Sequence, residues 1–185
     1  MRTPTRLVLE RRERLLGASD CESVRDVVLA QPVAAVSSLG YVAAGGWLIW
    51  EGRGLAGWQG RSARTYASLL VLVGAGSVLY HGPQGPGAEL LHDAPVAVLV
   101  GQAVAVPVLR WLRGRPMRRA GTGRRVMATG GLAALAAVGF VAGRTGSPLC
   151  DPDSLVQLHA VWHLAGAAAL AIWGTVLWPA AEVAG

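Results

Sequence analysis

The chain contains no lysine: all 17 of its basic side chains are arginine. Charge of either sign is scarce, at 15% of 185 residues, where a soluble domain carries about a quarter. So few charges cannot hydrate the surface of a water-soluble domain, and they exclude intrinsic disorder, which needs high charge and low hydrophobicity. The net charge of +6 sits on too apolar a chain to read as a nucleic-acid binder. Cysteine is limited to two residues, enough for one bridge and too few for a disulfide scaffold. What remains is apolar: 52% hydrophobic residues and a mean hydropathy of +0.41. An arginine-only basic set with abundant Gly and Ala fits the coding bias of a high-GC bacterial gene. The length fits a single domain.

A helix crosses a bilayer with about 20 mostly apolar residues. Five segments meet that requirement: Pro32 to Trp50, Thr65 to His81, Ala88 to Leu109, Val126 to Ala142 and Leu155 to Trp178. The expected fold is therefore all-α, a polytopic bundle of about five transmembrane helices over residues 31–185, preceded by an Arg-rich tail over residues 1–30. Small residues inside the spans allow close helix approach. Pro95 and Pro107 are expected to kink or shorten the third span. Trp47, Trp50, Trp58, Trp111 and Trp178 sit near span ends, as interfacial aromatics do.

The tail has no 7–15-residue apolar stretch before a cleavage site, so it is not a secretory signal. Leu7, Val8, Leu9, Leu15 and Leu16 can line one side of a short interfacial helix, or the tail can be frayed. Arg53, Arg61 and Arg64 fall in the loop after the first span. Arg110, Arg113, Arg115, Arg118, Arg119, Arg124 and Arg125 fall between the third and fourth spans. The alternate loops carry Arg144 alone. By the positive-inside rule the N-terminus faces out and the C-terminus in, although Arg11, Arg12 and Arg14 pull the other way. The 110–125 loop is a topology determinant first and a contact for anionic headgroups second.

With alternating spans, all four histidines reach one membrane face: His81 closes the second span, His92 opens the third, and His159 and His163 begin the fifth. Asp93 shares that face. Ionisable groups inside a membrane are costly and mark function. His159 and His163 are four residues apart, on one helix face, a spacing that can bind one metal. His81 completes a three-histidine set with one open position, the pattern of catalytic zinc. Zinc brings the pKa of a bound water to near 7. Asp93 can then act as general base or orient a ligand, and Ser77, one turn before His81, can hydrogen-bond the water or an oxyanion. Taken singly, each feature has a plainer reading: interhelical hydrogen bonding for His159 and His163, helix packing for Ser77, a helix-dipole partner for Asp93. His92 is given no catalytic role. A bis-His haem site is the competing cofactor, but it needs histidines on opposite sides of a slot.

Ser77-x-x-x-His81, Asp93 and His159-Ala160-Val161-Trp162-His163 together resemble the alkaline ceramidase family. The wider superfamily of seven-helix membrane hydrolases includes adiponectin-receptor and haemolysin III-like proteins. Cys21-Glu22 and Ser37-Ser38-Leu39-Gly40-Tyr41-Val42 look like the ceramidase branch. The resemblance covers residues 20–42, 66–96 and 155–170. It implies a zinc-dependent hydrolase that cleaves an N-acyl lipid, ceramide or a relative, to fatty acid and amine. His81, His159 and His163 would be the zinc ligands, and Ser77 and Asp93 the remaining catalytic positions. The family's calcium site would fall at Asp20 and Glu22, with Gln31 nearby, but its full set of acidic and Asn ligands is not reproduced, which argues against Ca2+. Five spans instead of seven leave the helices missing between Asp93 and His159, a flank to be closed by lipid or by a second copy in a homo-oligomer. Cys21 and Cys150 share the outer face, either bridged or as free thiols.

The expected protein is thus a bacterial cell-membrane hydrolase with its active site outward, Zn2+ as cofactor, a membrane lipid as substrate and no nucleic-acid partner. A metal-containing lipid receptor without catalysis is the alternative. A metal or proton transporter is a third reading, although nothing polar continues the path through the inner half of the spans.

Overall fold

A computed structural model describes residues 16–114 and 121–178. The fold is all-α, with five segments long and apolar enough to span a membrane. In chain order the helices are α1 (Pro32–Ser37), α2 (Leu39–Glu51), α3 (Gly57–His81), α4 (Ala88–Leu112), α5 (Thr122–Ala142) and α6 (Leu158–Leu177). The 3-10 turn Gly52–Gly54 ends the first span.

That first span is interrupted at Ser38, which separates α1 from α2. The hydroxyls of Ser37 and Ser38 both donate to Ala34 O, at 3.0 and 2.7 Å. Hydroxyls returned onto a carbonyl one turn back open a helix in this way. The second span is longer than its apolar run, because α3 starts at Gly57 and already contains Arg61 and Arg64. Pro95 and Pro107 neither break nor shorten α4, which runs on to Leu112. Pro95 cannot donate to Leu91 O, and that freed carbonyl faces α3, where a Cβ on Gly76 would lie 2.0 Å from it. The absent side chain therefore turns a helix defect into the closest approach of two helices.

α3 and α6 form the centre. α2 packs against both, α4 lies on the outer side of α3, and α5 packs only on α6. Among the described residues α4 and α5 make no contact with each other, although they follow one another in the chain. The hydrophobic core is Tyr41, Tyr66, Leu70, Leu99, Leu177 and Trp178, with the Tyr41 ring edge-on to His163 at 6.2 Å and the rest continuing away from the histidines. Trp178 belongs to this core, with its ring 5.2 Å from Tyr66, and is not an interfacial aromatic. Trp50, Trp58 and Trp111 are exposed. Arg110, expected in the basic loop, falls in the last turn of α4 and donates to Leu177 O, which satisfies a carbonyl at the end of α6.

Residues 16–31 are not a separate tail. They lie across the histidine end as a strap, and Asp20, Cys21, Glu22, Ala30 and Gln31 are buried in it. Cys21 and Cys150 are joined by a disulfide. Beside it, Cys21 N donates to Gly143 O at 2.8 Å and Thr145 N to Ser19 O at 2.9 Å. The interfacial helix expected of the N-terminal leucines falls on residues outside the described ones, except for Leu16, which lies in a turn.

Candidate metal centre

α3 runs to the histidine end and stops at His81, and α6 begins there at Leu158, with His159 in its first turn. Their contact brings three rings together. The centroids of His81 and His159 are 5.2 Å apart, those of His81 and His163 are 5.2 Å apart, and those of His159 and His163 are 4.6 Å apart. One ligand nitrogen from each lies within 4.8 Å of the others. All three side chains are buried.

Their hydrogen bonds determine which nitrogens are available. Gln31 Nε2 donates to Gly17 O at 3.0 Å and to Glu22 O at 2.8 Å. That turns its carbonyl oxygen toward His81, 2.8 Å from Nδ1. Nδ1 must then carry the proton, and Nε2 is left with a bare lone pair. His163 reaches the same state by another route. Its Nδ1 lies 3.1 Å from Ala34 O, 2.9 Å from Ser37 Oγ and 3.3 Å from Ser38 Oγ. Both hydroxyl protons are already spent on Ala34 O, so all three oxygens can only accept. Nδ1 donates, and Nε2 is bare again.

His81 Nε2, His163 Nε2 and His159 Nδ1 are buried and have no hydrogen-bond partner. One such atom costs about 1–3 kcal/mol. The other unpartnered buried atoms, on Gln102, Thr129 and Trp178, belong to different segments and do not converge. Three at one point, two with their tautomers fixed by outer partners, fit the donor set of a divalent ion. The same crowding argues against haem, since two of the histidines share one face of α6 instead of flanking a slot.

Asp20 stands beside this cluster. Its Oδ1 lies 3.4 Å from His159 Nδ1 and 2.8 Å from Arg144 Nη1, and its Oδ2 lies 3.9 Å from His81 Nδ1. Glu22 instead accepts from Val33 N at 2.7 Å and Ala34 N at 2.8 Å, which caps α1. Gln31 supplies a neutral amide already committed to His81. These residues do not fit a calcium site: Asp20 is paired with a guanidinium, both oxygens of Glu22 are used by backbone, and the remaining side chain is uncharged.

Ser77 is buried one turn before His81 on α3. Asp93 is not part of the cluster. Its side chain is 68% exposed and bonded through Oδ1 to His92 Nδ1 at 2.6 Å. His92 is the nearer of the two: its ring stacks on Tyr80 at 4.7 Å and stands perpendicular to His81 at 6.1 Å. The pattern of residue types therefore finds the three imidazoles but misses the roles of Gln31, Ser37, Ser38 and Asp20 beside them. One signal was available: Ser37 and Ser38 are adjacent hydroxyls inside an apolar span, where each polar group must find a partner. No protein-family model matches this chain, and neither does any curated protein or solved structure.

Proposed function

We propose that this protein is a membrane-embedded, zinc-dependent amide hydrolase of ceramidase-like type, which cleaves an N-acyl lipid, ceramide or a relative, to fatty acid and amine. The observation that carries the reading is the pair of bare, buried Nε2 atoms on His81 and His163, locked by Gln31 and by Ala34 with its two serines. His81, His159 and His163 would hold the ion. Zinc bound there would polarise an amide carbonyl and acidify a water. Ser77 would donate its hydroxyl to the oxygen that gains charge. Asp93 would act through His92: its carboxylate accepts the Nδ1 proton and leaves His92 Nε2 to take a proton at the rim of the site. The flank between α4 and α5 would admit the acyl chain from the bilayer. The arginine distribution supports an outward active site in a bacterial cell membrane.

Metal analysis of the purified protein tests this. One zinc per chain is expected, with none in His81→Ala or in His159→Ala/His163→Ala. Folded variants with full zinc would refute the assignment. Release of free fatty acid from a panel of N-acyl lipids then tests the chemistry, with Asp93→Asn as the inactive control. One observation favours a second reading, a non-catalytic metal-containing lipid receptor: the carboxylate expected as general base faces outward. Zinc-loaded protein that releases no fatty acid from any lipid would select it.

A further inference from the structure

The strap contributes three buried polar side chains, and each serves a different imidazole. Gln31 accepts from His81. Asp20 lies 3.4 Å from His159 Nδ1. Glu22 caps α1, the helix whose Ala34, Ser37 and Ser38 hold His163. Cys21 sits between Asp20 and Glu22 in the chain and ties this stretch to Cys150, 129 residues away. Other attachments to the same loop are Ser23 N to Pro152 O at 3.1 Å and Thr145 Oγ1 to Asp20 O at 2.8 Å. Arg144, the cationic partner of Asp20, is itself 40% exposed. Water can compete for such bonds, whereas it cannot open the covalent one.

We propose that the strap is a thiol-sensitive latch on the metal centre, in which the Cys21–Cys150 disulfide holds the Asp20 carboxylate beside the His159 donor nitrogen, so that cleaving the disulfide loosens the ion. This rests on the metal reading of His81, His159 and His163. Cys21 is buried and Cys150 is half-buried, so the attack comes at Cys150. A thiolate of a dithiol reductant bonds to Cys150 Sγ, and Cys21 leaves as a thiolate and takes a proton. The second thiol of the reductant then displaces Cys150, also released as a thiol. Two electrons and two protons pass to the protein, and the reductant ends as a disulfide. The freed strap no longer presents Asp20, and an ion held at His159 Nδ1 loses the carboxylate 3.4 Å from that nitrogen.

The test uses the full chain in detergent, with zinc affinity read by competition against a chromogenic chelator. A phosphine reductant replaces the dithiol, because dithiols bind zinc; the phosphine takes the oxygen of a water as its oxide and leaves two thiols. Reduction of the folded protein is expected to weaken zinc binding about tenfold or more, and reoxidation with glutathione disulfide to restore it. Cys21→Ser/Cys150→Ser and Asp20→Asn should each lose a similar factor. All three substitutions together should lose no more than either set alone, because the disulfide acts through Asp20. The Co2+-substituted Asp20→Asn protein should show a shifted d–d absorption, which a distant structural defect would not produce. Unchanged affinity on reduction overturns the latch, as do losses that multiply in the combined variant. Reduction of the folded native chain carries the test where the serine variant does not fold. Native protein that binds no zinc overturns the proposed function along with the latch, whereas native protein that binds zinc equally well in both redox states overturns the latch alone.

Discussion

The inner helices α2, α3 and α6 and the outer helices α4 and α5 are built from the same residues, yet they meet different surroundings. On the inner helices a missing Cβ is a contact at most glycines, with Gly46 and Gly57 the exceptions. A side chain on Gly45 would lie 2.5 Å from Ala67 O, one on Gly74 2.9 Å from Val42 N, and one on Gly166 2.6 Å from the Tyr41 hydroxyl. On the outer helices Gly101, Gly130 and Gly131 have nothing within 4 Å. Val98, Val104, Val138 and Val141 are more than half exposed. Each outer helix keeps a narrow buried seam, marked by Leu99 on α4 and by Ala136 and Gly139 on α5. A bilayer accepts both arrangements, since lipid tails are as apolar as a helix face and association depends on close packing. The metal centre is built on the inner set, where backbones are near enough to hold rings in register.

The largest expected effect breaks this contrast at its tightest point. Gly76→Val would press a side chain into Leu91 O, 2.0 Å from the Cβ position, and neither backbone can yield locally. A loss of about 3 kcal/mol is expected from overpacking, seen as a lower unfolding temperature in detergent. Gly131→Val on α5 should change stability by less than about 0.5 kcal/mol, because the position is open and valine is no worse in a helix than glycine. Equal losses at the two positions would mean that α3 and α4 do not meet as described.

A second pair of substitutions separates the polar groups over the inner helices from those on the outer ones. Gln31→Leu keeps most of the volume but leaves the His81 Nδ1 proton without an acceptor, at a cost of about 1–3 kcal/mol. Zinc affinity should fall about 10–100-fold. Asp93→Asn on α4 should leave zinc affinity unchanged, since that carboxylate touches only His92 and solvent. Chelator competition on the two proteins checks both. Loss of zinc in Asp93→Asn, with retention in Gln31→Leu, would reverse the assignment of which carboxamide or carboxylate supports the site.

Much of this was legible in the sequence, for identifiable reasons. A span is a property of composition over about 20 residues, so the five helices were readable. The three imidazoles were readable because helix direction alternates and His159 and His163 are one turn apart. Phase within a helix was not. His92 and Asp93 differ by about 100° around α4, and only the contact of Leu91 with Gly76 decides which of them turns inward. Long-range closure was readable only in part: Cys21 and Cys150 stood as bridged or free, and the burial of Asp20 that goes with the bridge was not foreseen. Asp20 reaches His159 because the strap folds back under a disulfide whose partner lies 129 residues on, and neither cysteine has a local pattern that names the other. Trp178 looked like a membrane-interface residue because it ends a span, and it is buried because Tyr66 of α3 offers it a ring.

The smallest expected effect concerns the redundancy around His163. Ser37→Ala removes the closest oxygen to Nδ1, at 2.9 Å, but Ala34 O remains at 3.1 Å, so the proton keeps an acceptor. Ser38→Ala leaves the same carbonyl in place. Each single change should therefore cost less than about 1 kcal/mol and shift zinc affinity only slightly. The double change should exceed the sum of the two, because Ala34 O loses both hydroxyl donors and the interruption between α1 and α2 loses what opens it. Ser62→Ala, at the contact of α3 with the outer helix α4, supplies the counterpart: Gln102 Nε2 keeps Ser62 O at 3.0 Å after the hydroxyl is removed. That substitution should leave zinc affinity where it was, even in combination with either serine of α1. A synergistic loss confined to Ser37 and Ser38 would show that the interruption at Ser38 serves to aim His163. Simple additivity would mean that Ala34 O alone orients the ring, with the hydroxyls as spectators.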